Sequence, residues 1–147
     1  MILRPATADD VEALFDIRCS VVENYQSREE LAEIGVTPEV IGAMIEGGDY
    51  VTTLAEIDGQ AIAFSMAQLS EAYVFAVFVR LSHEGRGAGR AVLEAAETAL
   101  RDHGVETAWL STGGDQALRA VGFYRHLGWR FTGTLENGEV RFEKHLG

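Results

Sequence analysis

The stretch from Tyr73 to His103 limits the fold more than any other part of the chain. Tyr73 to Val79 is a nearly unbroken apolar and aromatic run. Three glycines at alternate positions follow in His83-Glu84-Gly85-Arg86-Gly87-Ala88-Gly89-Arg90, and Val92, Leu93, Ala96 and Leu100 then recur at helical spacing up to Gly104. Seven apolar residues with no polar alternation predict a strand buried on both faces in the middle of a sheet. The helix after it has one apolar stripe, which must lie on that sheet, so the chain is directed to a layered α/β fold.

The flanking segments supply the other layers. Ile2 to Arg4 predicts a short strand, and Thr7-Ala8-Asp9-Asp10 a capping box that opens a helix with the stripe Val11, Leu14, Phe15, Val21 and Val22. Residues from Gln26 to Gly35 are polar and acidic, and Thr37-Pro38-Glu39 restarts a helix that stops near Gly47-Gly48. Tyr50 to Ile57 and Ala61 to Leu69 flank Asp58-Gly59, a strong hairpin signal. On the long helix Glu97 and Arg101 are expected to face outward as an i,i+4 pair. Thr107 to Ser111 predicts a strand, Asp115 caps a helix running through Leu127 to Gly128, and a last hairpin turns at Asn137-Gly138. The predicted order is strand, two helices, three strands, helix, strand, helix, two strands.

At 147 residues, with 47% hydrophobic and 24% charged side chains, the chain is expected to form a single domain over 1–147. The longest apolar run is too short for a membrane span and the N-terminus lacks a signal-peptide pattern, so the expected location is the cytoplasm, with no membrane partner. Cys19 is the only cysteine, which excludes an internal disulfide and thiolate-pair metal sites. His83, His103, His126 and His145 show no ligand spacing, so no metal is expected. A formal charge of -11 argues against nucleic acid as a partner.

The glycine turn carries the chemistry. Removing Cβ atoms beside a helix N-terminus lets several N–H groups approach an anion, which makes the turn a phosphate cradle. An ATP-binding loop would need Gly-Lys followed by Ser or Thr, but Gly89 is followed by Arg90 and Ala91. A dinucleotide fingerprint needs its third glycine at position six, where Arg90 stands. The remaining candidate is the pyrophosphate of coenzyme A. Arg80, Arg86 and Arg90, with Arg119 and Arg125 on a later helix, would offset the acidic balance there.

The run from Phe78 to Arg90 resembles the acetyl-CoA signature of the GNAT superfamily of N-acetyltransferases. Ala120-Val121-Gly122-Phe123-Tyr124-Arg125-His126-Leu127-Gly128-Trp129 resembles that family's second signature. The resemblance implies a mixed, mostly antiparallel twisted sheet of six to seven strands, flanked by about four helices, with splayed central strands. It implies acetyl transfer from acetyl-CoA to a primary amine of a small molecule or peptide in a ternary complex. It assigns pantetheine binding to the main chain of Phe78 and Val79, and pyrophosphate binding to Glu84, Gly85, Arg86, Gly87, Ala88, Gly89 and Arg90. Ala120 and Tyr124 are cofactor-binding by the same likeness. Val79 would also polarise the thioester, and Tyr124 would act as general acid. For the general base Glu71 is one candidate, and a water held by Ser111 and Thr112 is another. Glu23, Glu29, Glu30 and Glu33 fall on the acceptor side. Two positions depart from the pattern: Glu84 stands where glutamine or arginine is usual, and Ala117 where many members have asparagine. These departures keep a second reading open, a non-catalytic acyl-CoA-binding module on the same fold, and a homodimer is compatible with either reading.

Overall fold

The computed structural model describes residues 1–22, 25–113 and 117–147; the side chains of 117–120, and Asp115 as helix cap, lie outside the described residues. Strands β1 (Ile2–Pro5), β2 (Tyr50–Ile57), β3 (Gln60–Gln68), β4 (Tyr73–Val79), β5 (Thr107–Thr112), β6 (Arg130–Thr134) and β7 (Val140–His145) form one sheet. Their order is β1-β2-β3-β4-β5-β7-β6, antiparallel throughout except between β4 and β5. Helices α1 (Val11–Arg18), α2 (Arg28–Glu33) and α3 (Pro38–Glu46) precede β2, α4 (Ala88–Asp102) follows β4, and α5 (Ala117–His126) follows β5. The sheet and its splay match the expectation.

Between β1 and β2 there are three helices, not two. The additional one, α2, carries a capping box in which the Glu30 amide donates to Ser27 Oγ and the Ser27 amide donates to Glu30 Oε1. Leu31 is its only buried residue, so it lacks the apolar periodicity that reveals longer helices. Helix α1 ends at Arg18, and Val22, expected on its stripe, is 73% exposed; Ile17 is fully buried in its place.

Each face of the sheet has its own core. Leu14, Phe15, Ile17, Leu31 and Ile41 from α1 to α3 pack on Leu54, Phe64 and Met66. On the other face Leu93, Ala96 and Leu100 of α4 pack with Ala108, Leu110, Trp129 and Phe142. The strand buried on both faces is β3, where every residue from Ile62 to Ala67 is buried, rather than β4, where Val74 and Ala76 alone are. β4 is apolar because it lines a cleft on one side, and apolar content alone does not separate that from full burial.

Glu97 is also not where the sequence put it. It is buried on α4 and accepts from Lys144 Nζ at 2.7 Å and from Trp129 Nε1 at 3.1 Å, while Arg101 donates to the Leu146 carbonyl. The i,i+4 spacing was real, but the sheet offered Glu97 a better cation.

At the start of the chain, Asp10 accepts two bonds from Arg4, at 2.7 and 2.9 Å, and one from the Thr7 amide. The Arg4 guanidinium pulls its carboxyl down to about 2, against partial burial. A carboxyl with a depressed folded pKa stabilises above its unfolded value and loses that contribution as pH falls. Unfolding free energy is therefore expected to drop between about pH 4 and 2, by about 1 kcal/mol after allowing for solvent screening of the half-exposed Arg4. Asp10→Asn should flatten that part of the urea-denaturation profile.

Candidate active site

The splay between β4 and β5 forms the site. The two strands pair only at Tyr73 and Trp109, and β4 keeps its partner β3 as far as Val79. The Arg80 amide donates to the Ile62 carbonyl at 2.7 Å. Ladder bonds alternate along a strand, so the peptide groups of Phe78 face β3, and those of Val77 and Val79 turn to the open edge. Val79 thus turns its main chain to the open edge. Phe78 does not; it contributes its ring, which lines the cleft 5.8 Å from Phe64.

Immediately after β4 the chain makes a short 3-10 turn and enters the glycine turn. Gly85 and Gly87 have φ of +78° and +83°, and a Cβ on either would project into open space. Gly87 caps α4, whose first bond is donated by the Ala91 amide to the Gly87 carbonyl at 3.1 Å. The amides of Ala88, Gly89 and Arg90 therefore begin the helix with no intrahelical acceptor. Gly89 has a different role from its neighbours: a Cβ there would come 3.1 Å from Val79 Cγ2 and 3.5 Å from the Phe123 ring, so it allows α4, α5 and the end of β4 to pack closely. Of the arginines, Arg86 is exposed at the tip, Arg90 pairs with Glu94 at 2.9 Å, and Arg80 Nε donates to the Ala61 carbonyl at 3.3 Å. Glu84 is half-buried at the end of the 3-10 turn. Arg125 is exposed, and Arg119, Ala117 and Ala120 belong to the side chains outside the described residues, as Glu23 does.

On the face covered by α1 and α2, the splay opens into a cleft of about 840 Å³. Tyr124 lines it from α5, with its ring 5.7 Å from Phe142 and 5.1 Å from Phe123. Burial pushes its phenol up to about 12, so it is a hydrogen-bond donor across the physiological range. Ser111 and Thr112 line the same cleft. Glu71 sits apart on an exposed turn, outside the cleft lining, with its carbonyl accepting from Trp109 Nε1 at 3.0 Å. Of the four acidic residues assigned to the acceptor side, Glu30 reaches the cleft, while Glu29 and Glu33 are exposed on α2.

Three lining residues escaped the sequence reading. Arg18 lies 4.4 Å over the Phe78 ring and donates to Gln26 Oε1 at 2.8 Å, and burial lowers its pKa. Its position was legible, because Val11, Leu14, Phe15 and Arg18 share one helical face. Tyr73 stacks on Trp109 at 4.2 Å, and burial raises its pKa against the Ser111 hydroxyl bond. Glu139 precedes β7 and accepts from Ser111 Oγ at 3.3 Å and Asn137 Nδ2 at 2.9 Å. In the sequence it follows the Asn137-Gly138 turn, and no role was assigned to it there.

Among the described residues no group of three or more His, Cys, Asp or Glu side chains could hold a metal ion, and no helix is long and apolar enough to cross a membrane.

The model of the acetyltransferase (GNAT) family matches residues 12–129. No curated protein sequence matches the chain. Among solved structures, the PaiA N-acetyltransferase of Thermoplasma acidophilum, in complex with coenzyme A, superposes with a TM-score of 0.85 at 16% identity over 98% of each chain. The ribosomal-protein-alanine N-acetyltransferase of Brucella melitensis gives 0.78 at 21% identity over 99% of each chain. An N-acetyltransferase of Staphylococcus aureus gives 0.80 at 14% identity, covering 99% of this chain and 98% of its own. At such identities the likeness establishes the fold.

Proposed function

Because this chain belongs to the acetyltransferase (GNAT) family, we propose that it transfers the acetyl group of acetyl-CoA to a primary amine of a small molecule or peptide, by direct attack in a ternary complex. The observation that carries the reading is the β5-side edge of β4, unpaired beyond Tyr73 among the described residues, leading into an open glycine turn, with Tyr124 across the same splay. The turn fits a pyrophosphate: its two left-handed glycines leave space where side chains would stand, above amides that begin a helix. The coenzyme A complex of the Thermoplasma relative supports the same occupant.

Gly85, Arg86, Gly87, Ala88, Gly89 and Arg90 would hold the phosphates, with Arg86 and Arg90 supplying charge. The open β5-side edge of β4 would take the pantetheine arm as an added strand. The Val79 amide then donates to the thioester carbonyl and stabilises the charge that develops on its oxygen, a kind of contact worth about 3 kcal/mol. Tyr124, lining the same cleft, would face the sulfur. Burial holds this phenol well above its ordinary value, so it gives up its proton to the departing thiolate reluctantly on its own. The phenol therefore stabilises the thiolate by a hydrogen bond, and passes its proton across only as it receives another from the attacking nitrogen.

Thiol release from acetyl-CoA over a panel containing butylamine, tyramine and dipeptide amides tests this reading. Tyr124→Phe is expected to lower kcat by about 100-fold or more. Calorimetry should show an unchanged Kd for coenzyme A. Tight binding of coenzyme A with no turnover on any amine would replace the enzyme with a binding module.

A further inference from the structure

An amine acceptor arrives as an ammonium, since alkylamines ionise near 10, and must shed a proton before its nitrogen can attack. Among the described residues, six titratable or charged side chains line the cleft: Arg18, Tyr25, Glu30, Tyr73, Tyr124 and Glu139. Only two of these are carboxylates. Glu30 is exposed, and its Oε1 is engaged by the Ser27 amide in the α2 cap. Glu139 is half-buried and aimed by two donors, Ser111 Oγ from β5 and Asn137 Nδ2 from the β6–β7 turn. Ser111, Tyr73 on β4 and Tyr124 on α5 line the same cleft. The neighbouring cation on β7, Arg141, is occupied with Glu143 at 3.0 Å and lies 4.4 Å over the Trp109 ring, so the Glu139 carboxylate is not consumed by it.

We propose that Glu139 is the proton acceptor for the incoming ammonium, placed by Ser111 and Asn137 on the cleft wall shared with Tyr73. The assignment rests on the acetyl-transfer reading above and supplies the base that Glu71, on its exposed turn outside the cleft, does not. Glu139 takes one proton from the ammonium. The freed nitrogen forms a bond to the thioester carbonyl carbon, the carbon–sulfur bond breaks, and the second nitrogen proton reaches the sulfur by way of the Tyr124 hydroxyl. The products are the amide, the thiol and a protonated Glu139, which returns its proton to solvent. The arrangement also favours a cationic acceptor over a neutral or anionic one, because the carboxylate attracts the ammonium before it deprotonates it.

Glu139→Gln is nearly isosteric, and its amide oxygen still accepts from Ser111 and Asn137, so the fold should survive. On whichever amine of the panel turns over, kcat/KM at pH 7 is expected to fall about 100-fold. The Kd for coenzyme A should not change. The deficit should shrink as pH approaches the amine's own pKa, where solvent supplies free amine without a base. A loss of the same size at every pH would mean a structural role, and an unchanged rate would mean another base; either overturns the assignment while acetyl transfer stands. No turnover by the wild-type chain on any amine would remove the acetyl-transfer reading and the assignment together.

Discussion

Gly87→Val is expected to weaken coenzyme A binding about a thousandfold in titration calorimetry. Charge-assisted hydrogen bonds are worth about 1.5–3 kcal/mol each, and losing two of them corresponds to about 4 kcal/mol or three decades in Kd. The loss has a simple origin. The Gly87 backbone is left-handed at +83°, and its missing Cβ leaves open the approach to the first amides of α4. A valine would fill that approach and would also strain the backbone by about 1–2 kcal/mol. Gly59→Val separates the two effects: Gly59 has a nearly identical φ of +79° with open space around it, but lies in the β2–β3 hairpin turn. Both variants should lose similar stability, and only Gly87→Val should lose the ligand. Equal Kd values in the two would show that the pyrophosphate does not sit on this turn.

Lys144→Ala is expected to destabilise the fold by about 3–5 kcal/mol in urea denaturation, and to lower Tm by about 10 °C. Lys144 Nζ donates at 2.7 Å both to Glu97 Oε1 and to the Leu127 carbonyl at the end of α5, and Glu97 also takes the Trp129 indole N–H. Glu97 has only 5% of its side chain exposed, so removing the ammonium leaves a buried carboxylate with one neutral donor. The same contacts join α4, α5 and β7. Because the cost is the stranded charge and not the absence of an ion pair, adding Glu97→Leu to Lys144→Met should recover much of the loss, although the Trp129 N–H then goes unpaired. If Lys144→Ala costs no more than a surface substitution, the buried pair has been misread.

These two sites differ in how visible they were in the sequence. Gly85, Gly87 and Gly89 stood out because a strand-to-helix turn with alternate glycines has few physical purposes. The division of labour among them, two left-handed and one close-packed against Val79 and Phe123, did not stand out. Glu97 was misplaced because helix spacing shows which residues are neighbours along one helix and nothing about what packs across from it. Helix α2 was missed because one buried leucine does not make a period, although its Ser27-x-x-Glu30 cap was there to be read.

By itself the sequence determined the turns, the strand and helix order around the glycine turn, the stripe that lays α4 on the sheet and the two signature runs, because these depend on residues within one or two turns of each other. Tertiary structure decided the rest. The single Tyr73–Trp109 pair opens the splay, and β3 rather than β4 is the strand buried on both faces. Arg18, Tyr73, Ser111, Tyr124 and Glu139 come from five separate segments and line one cleft only once the sheet has formed. Their meeting depends on strand order and on where β4 and β5 part, a property of long-range pairing that no local window of residues encodes.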